Sequence, residues 1–157
     1  MREIKFRARP IDSHEWIYGG GVQVFGDKIV ILHANSNNNP TLTIIDPKSV
    51  GQCTSLKDKN DIEIYEGDIV LIPDDETVPI TDEGAGPKDP ANHLAPIIFT
   101  NGCFGPDIQE SADYYEKGFT SFSSLEGAEY LEVIGNIYSN PDIMQGHDSQ
   151  QTKAPNY

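Results

Sequence analysis

The chain has 157 residues and carries 25 Asp and Glu against 11 Lys and Arg, a formal net charge of −14. A chain of this length forms one domain or two small β subdomains, and it is too short for a large catalytic cleft with a separate cofactor domain. The longest apolar stretch, residues 69–72, is far shorter than the roughly 18 residues of a membrane span, and the first six residues lack the apolar run of a signal peptide. We therefore expect a soluble, cytoplasmic protein that does not bind membranes.

The charge is unevenly distributed along the chain. Residues 1–60 carry 8 bases and 6 acids, whereas residues 61–157 carry 3 bases and 19 acids. Because the second part would repel a phosphate backbone, direct binding of nucleic acid is disfavoured. Solubility is the simplest interpretation of so acidic a surface, and binding of a basic protein partner is the more specific one. A head-to-tail homo-oligomer, with the basic start of one chain against the acidic part of another, is a further expectation.

The first strand is predicted from alternation. Apolar side chains at every second position from Ile4 to Ala8 would face the core, and three bases, Lys5, Arg7 and Arg9, would form a basic outer face. These bases are the candidate basic patch of a regulator that binds nucleic acid. The acidic remainder of the chain disfavours that alternative function.

Short β-rich runs separated by turns follow this strand. The predicted strands cover residues 16–18, 22–25, 28–32, 41–45 and 50–54. The first three, separated by glycine turns, indicate an N-terminal β meander. Residues 56–61 are predicted as a turn, because Asp and Asn side chains bond their own backbone. We expect residues 1–60 to form a first subdomain.

The next part, residues 61–140, is predicted as a second subdomain. A Gly67-Asp68 turn leads into residues 69–72, whose continuous apolar side chains are typical of a strand buried on both faces. Such a turn and strand are common in small SH3-like barrels. By analogy we expect an SH3-like, barrel-type fold that begins near Tyr65.

Further turn and strand signals complete the chain. Asn101-Gly102 lies between apolar residues and predicts a hairpin, and residues 130–138 predict a strand that bends at Gly135. Asn140-Pro141 is a suitable start for a single helical turn. The polar residues 141–157 are predicted to be a disordered tail.

Residues 73–96 are predicted as a long, mobile acidic loop, because five prolines and two glycines interrupt them and acids outnumber bases six to one. The six acids are the candidate protein-binding residues Asp74, Asp75, Glu76, Asp82, Glu83 and Asp89. An alternative function is a metal-dependent hydrolase or nuclease that uses this loop, with His93 as the nearest further ligand. The Asp-x-Asp-x-Asp-Gly order of a calcium loop is absent, which favours a solvated loop with weak cation binding.

No motif predicts catalysis. The three glycines at residues 19–21 lack the helix and the Gly-Lys-Ser/Thr sequence of a phosphate site, and no Gly-x-Ser-x-Gly motif is present. Cys53 and Cys103 lack the spacing of a zinc site, and a reducing cytosol favours two buried free thiols over a disulfide between them. These observations favour a protein without enzymatic activity, cofactor or metal over the alternative of a metal-dependent hydrolase or nuclease.

Three segments of the chain resemble the YopX-like family of phage and prophage proteins. They are residues 1–8 (MREIKFRA), residues 50–70 (VGQCTSLKDKNDIEIYEGDIV) and residues 132–141 (EVIGNIYSNP). The resemblance implies a mainly β fold over residues 1–140 and a phage or prophage origin. It implies no activity and no catalytic residue.

The chain departs from that family at a few positions. Ser55 stands where a glycine is usual, and Asp61 stands where we expect the glycine of an Asn-Gly turn. Because a side chain strains the left-handed backbone conformation, Asp61 makes a tight left-handed turn costlier. The function that these observations favour is a phage or prophage accessory protein that binds an unidentified host or phage protein.

Overall fold

The computed structural model describes residues 3–73, 93–109, 117–125 and 127–147. In these ranges the chain forms twelve strands, a 3-10 helix at Pro47–Ser49 and an α-helix, α1, at Asp142–His147. The strands are β1 (Phe6–Ala8), β2 (Ile17–Gly19), β3 (Gly21–Phe25), β4 (Lys28–Ala34), β5 (Pro40–Ile44), β6 (Gly51–Lys57), β7 (Glu63–Tyr65), β8 (Asp68–Ile72), β9 (His93–Thr100), β10 (Cys103–Ile108), β11 (Gly118–Phe119) and β12 (Glu132–Asn136). The predicted mainly β fold is confirmed. No helix in the described ranges is long and apolar enough to cross a membrane.

The chain divides into two compact units. The first unit comprises Met1–Leu56 and Glu63–Gly67, and the second comprises Lys57–Ile62 and Asp68–Tyr157. The division therefore differs from a single cut at residue 60, because the segment around the predicted turn belongs to the second unit while β7 returns to the first.

The first unit contains two antiparallel arrangements of strands. One sheet has the order β2-β1-β6-β7 and the other the order β3-β4-β5. The predicted meander is confirmed for β3 and β4, whereas β2 pairs with β1 and the third strand of this sheet is β5. Ala8, Ile31 and Ile45 form the buried core of this unit. A Cβ atom at Gly19 would lie 2.1 Å from the Leu32 carbonyl oxygen, so only glycine permits this approach of β2 to β4.

The second unit contains one five-stranded sheet, in the order β11-β10-β9-β8-β12. Its strand β8 lies between β9 and β12, and Ile69, Val70 and Ile72 are fully buried. The prediction of a strand buried on both faces is therefore confirmed. The closure of this sheet into an SH3-like barrel stays a prediction, because β11 and β12 are the two ends of the described order.

The predicted C-terminal boundary of the acidic loop, at residue 96, is wrong. Strand β9 begins at His93 and contains Pro96, which lies opposite Ile69 of β8. Residues 93–96 pair with β8, whereas the pairing with β10 starts at Ile97, so the proline stands where one ladder ends and the other begins. A proline is tolerated there although β9 is a central strand. The six candidate acids Asp74, Asp75, Glu76, Asp82, Glu83 and Asp89 lie outside the described residues.

The turn and strand predictions of the second unit are confirmed. Asn101 and Gly102 connect β9 and β10 with φ angles of 51° and 82°, as a tight hairpin turn requires. Strand β12 is irregular between Val133 and Gly135, which agrees with the predicted bend. Helix α1 is six residues long and so exceeds the predicted single turn, and the first part of the predicted tail is therefore helical. The predicted disorder of residues 148–157 lies outside the described residues.

Candidate functional site

Arg7 lies inside the first unit and not on an exposed basic face. Arg7 is 6% exposed. Its guanidinium carbon lies 4.7 Å from the centroid of the Trp16 ring and 5.0 Å from that of the Tyr65 ring. Its Nη2 donates a hydrogen bond of 3.3 Å to the carbonyl oxygen of Glu66. The planar cation is stabilised between the two aromatic faces. The predicted basic outer face is therefore wrong at this position.

The other two bases of the predicted patch also have partners. Lys5 Nζ lies 2.6 Å from Glu63 Oε2, and the Tyr65 hydroxyl donates to the same oxygen at 2.9 Å. The hydrogen bond to Glu63 raises the pKa of Lys5, and burial, followed by the bond to Glu63, raises the pKa of Tyr65 far above its usual value. Arg9 Nη2 contacts His14 Nδ1. The three bases are thus engaged within the unit, and binding of nucleic acid by them stays a prediction.

Asp58 organises the turn between β6 and β7 in the second unit. One carboxylate oxygen accepts hydrogen bonds from the amides of Asn60 and Ile62, at 2.8 and 2.9 Å, and the other accepts one of 2.9 Å from the amide of Val133 on β12. Burial by itself would raise the pKa of this carboxyl, but the three hydrogen bonds together lower it below its usual range. Asp58 therefore acts as a structural residue of the central segment that resembles YopX-like proteins.

Two departures from that family fall on left-handed backbone. Ser55 has a φ of 67° and Asp61 a φ of 64°. The expected left-handed turn at Asp61 is therefore present despite its side chain, and Lys57 Nζ lies 2.7 Å from Asp61 Oδ1 across that turn. Both positions are strained in a way that glycine would relieve.

Metal-ligating and thiol side chains are dispersed among the described residues. In the ranges covered by the structure, no three His, Cys, Asp or Glu residues are grouped so that they could hold a metal ion. Cys53 is a buried free thiol of the first unit, and Cys103 is a half-buried free thiol of the second. His93 is buried at the start of β9. The acidic loop is outside these ranges, so its metal-binding role stays a prediction.

Large apolar side chains are exposed on one face of the sheet β3-β4-β5. Phe25, Leu32 and Leu42 are 53%, 46% and 53% exposed, and we call them the apolar strip. The register places Leu32 directly opposite Leu42, so both lie on the same face, and Phe25 lies opposite Lys28 on that face. Sequence patterning missed the strip because residues 29–32 are apolar on both faces of β4, and on the face of Leu32 the neighbouring Val30 is buried.

The strip ends at an open strand. Strand β3 is the last strand of its sheet, and no other described strand pairs with its outer side. It carries no charged side chain and no proline, the features with which proteins commonly protect an edge strand. Its Val24 is 67% exposed, on the opposite face from the apolar strip. Exposed apolar side chains beside an unprotected edge strand form a surface that can bind a protein by contact of side chains and by strand addition.

These features define the chain as a mainly antiparallel β protein whose candidate site is the open strand β3 with the apolar strip. The model of the family described as YopX protein matches residues 5–145, and the chain belongs to that family. Among solved structures, it is similar to the crystal structure of protein EF1440 from Enterococcus faecalis, with 23% identity, a TM-score of 0.46 and coverage of 90% of this chain and 97% of that one. The comparison with curated proteins gives no match.

Proposed function

We propose that this protein is a non-enzymatic accessory protein of a phage or prophage and that it works by binding another protein through the apolar strip. The exposure of Phe25, Leu32 and Leu42 on one sheet face carries the proposal. The phage or prophage setting is supported by the resemblance of the chain to YopX-like phage and prophage proteins.

The free energy of apolar burial favours this surface as the contact. Removing apolar surface from water contributes about 25 cal/mol per Å², so three half-exposed large side chains together offer several kcal/mol to a partner that covers them. Strand β3 adds backbone groups beside the strip that pair with no other described strand and can fix the orientation of that partner. Binding there needs no catalytic residue.

The acidic loop has a separate part in the proposal. Its six acids would attract a basic partner and accelerate its encounter, as expected from the charge of residues 61–157. Affinity would then depend on the apolar strip, while the association rate and its dependence on salt would depend on the loop.

Affinity capture with matched variants tests the proposal. The tagged protein, a Leu32→Thr/Leu42→Thr variant and a Phe99→Thr control are used to capture proteins from infected and uninfected host lysate. Phe99 is a suitable control because it is exposed to a similar extent, 51%, in the second unit. We expect one partner that the native chain and the Phe99→Thr control retain and the strip variant loses. Retention of the partner by the strip variant, with its melting temperature unchanged, would show that the strip is not the contact.

A further inference from the structure

The register of β3 and β4 determines which backbone groups of β3 point outward. Phe25 lies opposite Lys28 across a two-residue turn, in which Gly26 has a φ of 59°, so these two residues form a hydrogen-bonded pair. Hydrogen-bonded pairs alternate along an antiparallel ladder, and Gln23 and Gly21 therefore also bond to β4. The N–H and C=O groups of the two residues between them, Val22 and Val24, point away from β4, toward the side on which no described strand pairs.

These outward groups are self-complementary. If two copies of β3 meet antiparallel with a two-fold axis at Gln23, Val22 lies opposite the partner's Val24, and both pairs exchange two hydrogen bonds. A shift of the register by two residues in either direction loses half of these bonds, and a shift by one residue loses all of them, because only Val22 and Val24 have outward groups within β3. The symmetric register is therefore favoured over its neighbours.

In the same register, the second copy of the chain would cover the apolar strip. Phe25 lies opposite the partner's Gly21, and Gly21 is itself opposite Leu32, which is opposite Leu42. All these positions share one face, so the partner's Phe25 would lie over Gly21 and against Leu32. Gly21 has room for a ring, because a Cβ atom built there has nothing within 4 Å. An aromatic ring over a glycine on the neighbouring strand is a known stabilising pair. One register thus brings together all three exposed residues of the strip.

The charges permit this contact at close range. Gln23 faces the partner's Gln23, and β3 contains no charged residue that would be brought against its own copy. The net charge of −14 nevertheless repels two copies at long range, so salt should strengthen this association. The head-to-tail contact expected from the distribution of charge along the chain would instead weaken with salt. The two modes of self-association therefore differ in the sign of their salt dependence.

We propose that a second copy of this chain occupies the site, through antiparallel pairing of the two β3 strands about Gln23 with the apolar strips on a shared face. This inference rests on the proposed function, since it uses the same surface, but the acidic loop would not attract this acidic partner. The pairing is short and its area is below the standard size, so we expect a weak dimer that dissociates in the micromolar range or above.

Sedimentation velocity of the full chain over about 5–500 µM covers that affinity range, at low and high salt. We expect a monomer–dimer equilibrium that strengthens with salt. Gln23→Lys should weaken it at least about tenfold, because like charges would lie directly opposite each other, while the neutral Gln23→Thr control preserves it. Gln23 is exposed, so neither substitution disturbs the core of the chain. A chain that is monomeric throughout, or a dimer that survives Gln23→Lys unchanged, overturns the proposal.

A disulfide trap tests the register itself. Residues at a non-hydrogen-bonded antiparallel pair lie about 4.5 Å apart between Cα atoms, which suits a disulfide. In a Cys103→Ser background, Gln23→Cys should therefore crosslink two chains under mild oxidation, whereas Val24→Cys should not, because the two copies of residue 24 are displaced along the strand. Equal crosslinking of both variants contradicts the register. A chain that stays monomeric but captures a protein lost by the Leu32→Thr/Leu42→Thr variant would overturn the second copy as occupant and leave the proposed function standing, whereas failure of both experiments would reject both.

Discussion

Replacement of Asp58 is the most informative test of how the central segment stabilises the second unit. Its carboxylate accepts three backbone hydrogen bonds, from Asn60, Ile62 and Val133, at 2.8–2.9 Å. A hydrogen bond to a charged group contributes about 1.5–3 kcal/mol, and water recovers part of this where the amides are exposed, so Asp58→Ala should cost about 3–4 kcal/mol. At about 2–4 °C per kcal/mol for a chain of this size, the melting temperature should fall by about 6–16 °C.

The Asp58→Asn variant separates charge from shape. Its amide can present only one oxygen, so an NH₂ group must face either the Val133 amide or the pair from Asn60 and Ile62, and two donors then oppose each other. We expect a loss of about 2 kcal/mol for this substitution, intermediate between the native chain and Asp58→Ala. Asp61→Asn is the matched control in the same turn. It removes only an exposed ion pair and should change stability by less than about 1 kcal/mol.

The lowered pKa of Asp58 determines how its contribution to the stability of the chain depends on pH. Because the folded-state pKa of Asp58 is lowered, its stabilisation is fully present above the unfolded value of about 3.9 and is lost as the pH falls through the folded value. Urea unfolding of the native chain and of Asp58→Asn should therefore differ most near neutral pH and converge below about pH 4. Equal stability of the two proteins at pH 7, or a difference that does not shrink in acid, would refute the assigned role of this carboxylate.

Three further predictions concern strain, the buried cation and metal. Ser55→Gly should stabilise the chain by about 0.5–1 kcal/mol in urea unfolding, because it removes left-handed strain, and a destabilised variant would contradict that reasoning. Arg7→Lys should destabilise by about 2 kcal/mol or more, because an ammonium cannot stack between Trp16 and Tyr65, whereas Arg9→Lys should have little effect; similar losses for both would argue against the stacked arrangement. Millimolar Mg²⁺, Mn²⁺ or Ca²⁺ should shift the melting temperature no more than a matched monovalent salt, and a rise of several degrees would favour the metal-dependent alternative for the acidic loop.

Local sequence signals predicted much of the fold. The Asn101-Gly102 turn, the buried strand after Gly67 and the irregular β12 follow from residues that are neighbours along the chain, and their structures agree. Even Asp61 occupies the left-handed turn that its position required. Such features depend on short-range sterics and backbone hydrogen bonds, which a single sequence contains.

The errors involve contacts between residues that are distant in sequence. Alternation assigned Arg7 to the outer face of β1, but that face is covered by Trp16 and Tyr65, and the second of these lies 58 positions away along the chain. Pro96 suggested a loop, because a proline is rarely accepted inside a strand. The structure places it where the ladder with β8 ends and the ladder with β10 begins, and only the pairing of β9 reveals this. Patterning shows which side of a strand is apolar, and the structure is needed to show what covers it.

The apolar strip depends on the same kind of information. Both faces of β4 are apolar in sequence, so the exposure of Leu32 could be recognised only from the order and register of the neighbouring strands β3 and β5. The candidate site suggested by charge, the acidic loop, and the site suggested by the structure consequently consist of different residues. Their proposed roles, encounter and affinity, can be measured separately.

Amide hydrogen exchange, resolved residue by residue, shows directly whether the open strand β3 and the apolar strip bind a partner. It should be measured on the native chain when dilute, when concentrated and in the presence of any captured partner. We predict that the amides of Val22 and Val24, which point away from β4, exchange rapidly in the dilute chain and become protected on binding, while those of Gln23 and Phe25 are protected throughout. Binding that leaves Val22 and Val24 exchanging as before, while it protects another surface, would contradict the assignment of the open strand and its apolar strip as the binding site.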